Sequence, residues 1–300
     1  LAEAYRDDLV PCRPQGQRDD DCATQFVERL GLKLWRRPLE SDEHQELVEL
    51  AGTAAESLSN FYSGLAFALA RLIQSPHFIF RTEIGIENSS TDSRRQFTDY
   101  ELASRLSYFL WNTCPDQALL DAAAAGDLST REGLITQTER LLASPKAREG
   151  LGFFFNDYLN LWKLAKVRKD SDTFENYSGD LPTYAREETL RLLAYLTFDE
   201  QSDLRDMMTS QVSFINPLLA TIYRVPAPDP DDFAYVELPE DSQRAGVLTQ
   251  VSFLTMHAHA IHSSATLRGK AVRTILLCQD IPIPPVDVDT SIPEPSTEQQ

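Results

Sequence analysis

Apolar residues recur at three- and four-residue spacing in segment after segment, and each run is cut short by a proline or a polar turn. That period belongs to amphipathic helices. "CATQFVERLGLKLWRR" (Cys22–Arg37) places Phe26, Val27, Leu30 and Leu34 near one face, and Pro38 ends it. "ESDEHQELVELAGTAAES" (Glu40–Ser57) follows, with Ser41 as the expected N-cap and acids in the first turn. "NFYSGLAFALARLIQS" (Asn60–Ser75) is apolar nearly all round, which predicts a buried helix stopped by Pro76. "HFIFRTEIG" (His77–Gly85) reads as extended, with Phe78 and Phe80 on one side.

A second helical block opens at Thr98, where Glu101 three residues on completes a capping box. Leu102, Leu106, Phe109 and Leu110 mark its expected buried stripe, and Gly126 reads as the C-cap of the next helix. Further helices are expected near 129–142, 145–161 and 182–200, the last carrying Leu190, Leu193, Leu196 and Thr197. "GVLTQVSFLTM" (Gly246–Met256) reads as buried, of a type its short period does not decide; "TLRGKAVRTILLCQ" (Thr266–Gln279) reads as a helix. The expected fold class is mainly α: packed multi-helix domains with minor short β segments.

Two polar stretches, Ile86–Gln96 and the proline- and aspartate-rich Arg224–Phe233, suggest boundaries. They define an N-terminal helical domain over 1–90, a central helical domain over 97–225 and a C-terminal segment over 243–281 that packs on the central one. Residues 282–300 hold five prolines and read as a semi-rigid linker toward a further domain.

Net charge is −18, from 28 Lys and Arg against 46 Asp and Glu. Such a chain repels phosphate backbones and anionic lipid, so neither nucleic-acid binding nor direct membrane insertion is expected. The longest apolar candidate, "LAFALARLI" (Leu65–Ile73), is short and carries Arg71. Of four cysteines, Cys12 and Cys22 flank the polar loop "CRPQGQRDDDC", which suits a local disulfide in an oxidising compartment; two free thiols are the alternative. Cys114 and Cys278 are expected as small buried hydrophobes unless they pair.

Three of the five histidines fall in "TMHAHAIHSSATLRGK" (Thr255–Lys270): His257, His259 and His262. On a strand His257 and His259 would share a face, as a metal chelate needs; on a helix they diverge by about 200°. The structural alternative is imidazoles bonded to backbone or exposed to water. Arg268 and Lys270, near a helix start, could hold an anion or tie loops together. Ser263 and Ser264 beside a histidine lack the G-x-S-x-G elbow of a hydrolase. Asp229, Asp231 and Asp232 form an oxygen-rich loop able to take calcium, or simply a solvated loop. "GFFFNDYLNLW" (Gly152–Trp162) is aromatic, which a helix burying Phe153, Phe154, Tyr158 and Leu161 explains without a ligand.

"LWRRPLESDE", "LARLIQSPHFIFRTE", "DYELASRLSYFLWNTCPDQALLDAAAAGDL", "SFINPLLATIYRVP" and "RAGVLTQVSFLTMHAHAIHSSATLRGKAVRTILLCQDIPIPPVDVDT" occur in that order. The chain thereby resembles, from about Cys22 to Thr290, the large secreted planctomycete- and myxobacterial-type proteins built of consecutive PSD and PSCyt domains of unknown function. The family often has a proline before the R-G pair, where this chain has Ser263, Ser264, Ala265 and Thr266.

The resemblance implies an exported protein, periplasmic or extracellular. It also implies haem c in flanking domains; this chain itself carries no C-x-x-C-H and holds no cofactor by motif. Partners would be other proteins or those cytochrome domains. It implies an accessory or partner-docking part in electron transfer. The alternatives are the catalytic portion of a metal- or haem-dependent enzyme with its site near His257–Arg268, where a histidine could contact a neighbouring haem, or an extracellular scaffold without redox chemistry.

Overall fold

The chain divides into two compact units, Leu1–Phe153 and Phe154–Gln300. The computed structural model describes residues 6–87, 95–228 and 232–282. Its secondary structure is overwhelmingly helical, with two short antiparallel strand pairs. The division falls inside the region expected as one central domain, 97–225.

In the first unit, α1 (Arg6–Leu9) precedes three packed helices: α2 (Asp20–Trp35), α3 (Ser41–Ser57) and α4 (Phe61–Gln74). Asp19 caps α2 by accepting from the Cys22 backbone N–H. Phe26, Val27, Leu47, Leu65 and Leu72 form the core, and Cys22 lies in it, disulfide-bonded to Cys12. The Trp35 indole N–H donates to the Leu72 carbonyl at 3.0 Å, so the large ring is buried with its one donor satisfied.

Three expectations change here. Ser41 is the first helical residue rather than the cap: Glu40 takes the cap, because the Glu43 carboxylate reaches back to the Glu40 N–H at 2.8 Å. The helix α4 buries one stripe only, and Phe67 and Ile73 are exposed. His77–Gly85 does not start as an extended run. Pro76 opens a short helix, α5 (Pro76–Ile79), with the Ser75 hydroxyl accepting from the His77 N–H. Proline at the first helical position, behind a serine cap, starts a helix as readily as it stops one. Past α5, β1 (Ile86–Glu87) pairs with β2 (Arg95–Gln96).

The rest of the first unit packs α6 (Asp99–Trp111), α7 (Gln117–Ala124), a 3-10 turn (Asp127–Ser129) and α8 (Arg131–Leu142), and ends within α9 (Pro145–Tyr158). The capping box is present: Thr98 accepts from the Glu101 N–H and Glu101 from the Thr98 N–H. Gly126 follows α7 in the left-handed region, φ +78°. The buried stripe of α6, however, is Ala103, Ser107 and Trp111, while Phe109 is 83% exposed. Trp111 sets this orientation, since its indole N–H donates to the buried Leu141 carbonyl at 2.8 Å.

The second unit carries the last residues of α9, a 3-10 helix (Leu161–Lys166) and α10 (Leu181–Ala194), which runs on as one π turn (Tyr195–Asp199). Strand β3 (Val212–Ile215) pairs antiparallel with β4 (Ala234–Glu237), Val212 opposite Glu237 and Ile215 opposite Ala234. This pair packs against α10, and α11 (Pro217–Tyr223) closes the core of Leu181, Ala185, Ile215, Leu219 and Val251. The undecided Gly246–Met256 becomes a 3-10 turn (Val247–Thr249) and α12 (Val251–Met256). Gly246, at φ +60°, lies against the Met207 and Met208 carbonyls, where a side chain would not fit. The final helix, α13 (Ala265–Ala271), runs into a π turn (Val272–Leu276).

Phe155, Leu159 and Leu161 are buried, whereas Phe153, Phe154 and Tyr158 are exposed, which reverses most of the expected aromatic stripe. Cys114 and Cys278 are free thiols; Cys114 is half-buried and Cys278 is exposed rather than a core residue. Among the described residues, no helix is long and apolar enough to cross a membrane.

Candidate functional site: the histidine hairpin and its surroundings

The helix α12 is short and ends at His257, whose N–H closes the last turn on the Phe253 carbonyl. The chain then reverses. Ala258 and Ser263 form an antiparallel bridge, and the His259 N–H donates to the His262 carbonyl at 2.9 Å. Ser264 leaves the hairpin and caps α13 by accepting from the Leu267 N–H.

This geometry sets His257 apart from His259 and His262. His257 is half-buried against the Phe253 ring, centroids 4.7 Å apart, and its buried Nε2 has no partner among the described residues. Burial, and then the Lys163 charge, lower its pKa. His259 and His262 stand together on the exposed hairpin, ring centroids 4.6 Å apart. The pair that meets is therefore 259 and 262, not the H-x-H pair. Among the described residues no three His, Cys, Asp or Glu side chains group as metal ligands.

The hairpin is pinned from outside. Lys169 Nζ donates to the Ala258 carbonyl at 2.8 Å and to the His259 carbonyl at 2.7 Å, and the Asp170 N–H donates to the Ala260 carbonyl. Lys169 follows the 3-10 helix Leu161–Lys166, on which α12 packs. The segment that pins the hairpin thus also carries Trp162, Lys163, Lys166 and Arg168, all exposed.

Arg268 and Lys270 lie toward the end of α13, ahead of its continuation as the Val272–Leu276 π turn, rather than at its start. Asp229 and Asp231 lie outside the described residues. Asp232 is exposed and its carboxylate accepts from the Phe233 N–H.

Sequence reasoning missed two sites. The first is Glu188, fully buried on α10. Its Oε1 accepts from the Ser213 hydroxyl at 2.6 Å and the Tyr223 hydroxyl at 2.5 Å; Oε2 has no partner among the described residues. Burial pushes its pKa up to about 7, against those two bonds and the Arg244 charge. Beside it, Thr189 bonds Gln250 and Ser252, both at 2.7 Å. Its signal was positional: Glu188 falls in the spacing Leu181, Ala185, Leu192 of the buried stripe.

The second is a cleft of about 420 Å³ in the first unit, lined by Trp35, His77, Arg81, Tyr100 and Glu101 among others. Most of its charges are already engaged. Arg36 donates to the Leu34, His77 and Phe80 carbonyls, Arg37 pairs with Glu43, and Glu101 accepts from the Ile84, Gly85 and Thr98 N–H groups. Burial raises the Glu101 carboxyl, but these bonds outweigh it and hold its pKa below the usual range.

Three family models match in succession. Residues 22–83 match PSD5, a protein of unknown function (DUF1595), and residues 97–225 match PSD4, a protein of unknown function (DUF1592). Residues 244–300, which contain the histidine hairpin, match PSCyt3, a protein of unknown function (DUF1588). Their order supports a planctomycete-type PSD/PSCyt assignment for the chain. No curated protein and no solved structure matches it.

Proposed function

We propose that this chain is a haem-free, partner-docking module of an exported, c-type-cytochrome-associated redox protein. The observation that carries the reading is that the PSCyt3-matched segment presents a rigidly pinned, exposed hairpin with two imidazoles on its tip. A pinned loop is a suitable docking element because little conformational freedom is lost when a partner closes on it. The Cys12–Cys22 bond suits the oxidising compartment in which c-type haem is attached.

The test is an absorption spectrum and metal analysis of the natural full-length protein, purified natively. A Soret band with iron and no other metal supports the reading. No Soret band and no metal would remove it and leave the non-redox scaffold.

A second reading, a metal- or haem-dependent enzyme portion, is favoured by the paired rings of His259 and His262. Its test is a zinc or cobalt titration of the chain. Tight binding that disappears in His259→Ala would support it.

A further inference from the structure

We infer that the exposed face formed by Trp162, Lys163, Lys166 and Arg168 beside the histidine hairpin docks an acidic surface of a partner protein. The inference deepens the docking reading above and rests on it.

The first ground is charge. The chain carries −18, yet residues 163–169 hold four cations and no acid. Among the described residues, neither Lys163 nor Lys166 has a carboxylate within ion-pair distance. Both ammonium groups lie near one ring instead, at 5.3 and 5.2 Å from the Trp162 centroid. Among the described residues the Arg168 guanidinium bonds only the Ala165 and Val167 carbonyls, which leave its charge uncancelled. The next acid along the chain, Asp170, is turned onto the Thr173 N–H and hydroxyl. Uncompensated positive charge on a strongly acidic protein is a local complement to negative charge.

The second ground is the tryptophan. Trp35 and Trp111 are buried with their N–H groups bonded, but Trp162 is 45% exposed. Tryptophan is among the residue types most enriched as interface anchors, and the two lysines beside this ring supply charge to the rim. The third ground is rigidity: the same segment, through Lys169 and Asp170, holds the hairpin in place.

The partner is a protein and not an extended polyanion. A nucleic acid or acidic polysaccharide reaching past this small face would meet the acidic remainder of the chain. A folded partner with a local acidic patch touches only the face itself.

Acrylamide quenching of tryptophan emission reads the site directly, because Trp162 is the accessible ring. The probe is a glutamate-rich peptide, compared with heparin. The peptide should protect Trp162, and its affinity should fall about ten-fold or more between low and physiological salt. The variant K163E/K166E should lose that protection while melting like wild type, and K163M/K166M should retain part of it. Unchanged peptide binding by K163E/K166E would overturn the inference. So would heparin binding as tight as the peptide's, or salt-sensitive self-association showing that a second copy fills the face. These readouts do not involve haem, so failure here and failure of the haem assay are separable.

Discussion

Tyr223 and Glu188 share a hydrogen bond of 2.5 Å in the interior of the second unit, and the Tyr223 oxygen also accepts from the Val251 N–H at 3.2 Å. Through Ser213 as well, Glu188 links α10 to β3, α11 and α12. Desolvation drives the tyrosine pKa well above its usual value, helped by the Glu188 charge and bond, so the phenol stays a donor.

Stability should depend on the Glu188 proton. The ordinary carboxyl value is 4.5 and the folded value about 7, so the folded state holds this proton more tightly than the unfolded chain. The contribution is full below pH 4.5, is lost as pH rises to about 7, and is level above that. At ~1.4 kcal/mol per unit, the loss is on the order of 3 kcal/mol. Urea unfolding at a series of pH values should show this slope in wild type and a flatter one in Glu188→Gln. Identical slopes would refute the assignment.

The disulfide should stabilise the first unit. Closing a loop of ten or so residues is worth about 3 kcal/mol in the chain-entropy model. Cys12→Ser should lower the melting temperature and abolish its sensitivity to dithiothreitol. If wild type melts identically with and without reductant, the bond contributes nothing.

Packing of α3 on α4 depends on Gly64. A Cβ there would collide with the Ala51 carbonyl and the Ala55 side chain. Gly64→Ala should therefore destabilise by about 2 kcal/mol or more, in spite of alanine's better helix propensity. Calorimetry reads the sign: a stabilised variant would show that the helices have room to part.

Removing the Lys169 ammonium should loosen the hairpin without unfolding the unit. In Lys169→Met, hydrogen exchange at the His259 amide should speed up by about ten-fold or more, while core amides such as Leu192 keep their protection. Unaltered exchange at His259 would mean that the hairpin stands without its pin.

Much of the fold was legible in the sequence because period and punctuation agree. Phe26, Val27 and Leu30 predict the buried face of α2, and Thr98 with Glu101 predicts the start of α6. The errors occur where tertiary partners outweigh local pattern. Phe109 is the more apolar choice, but the Trp111 ring and its bond to Leu141 set the α6 face, so Phe109 points to water. Glu188 reads as a surface acid on any hydropathy scale. Its partners come from Ser213 and Tyr223, 25 and 35 residues away. The histidines were visible at once. Their arrangement depends on a reversal between Ala258 and Ser263 that alternation alone does not reveal.

The docking proposed above is with a haem-bearing partner. It is tested most directly by mixing the isolated chain with any haem-bearing fragment that limited proteolysis releases from the natural protein, and following Soret absorbance in sedimentation. A saturable one-to-one complex that carries the Soret band and dissociates at high salt is expected. Haem absorbance that sediments independently of the chain at every concentration would contradict it.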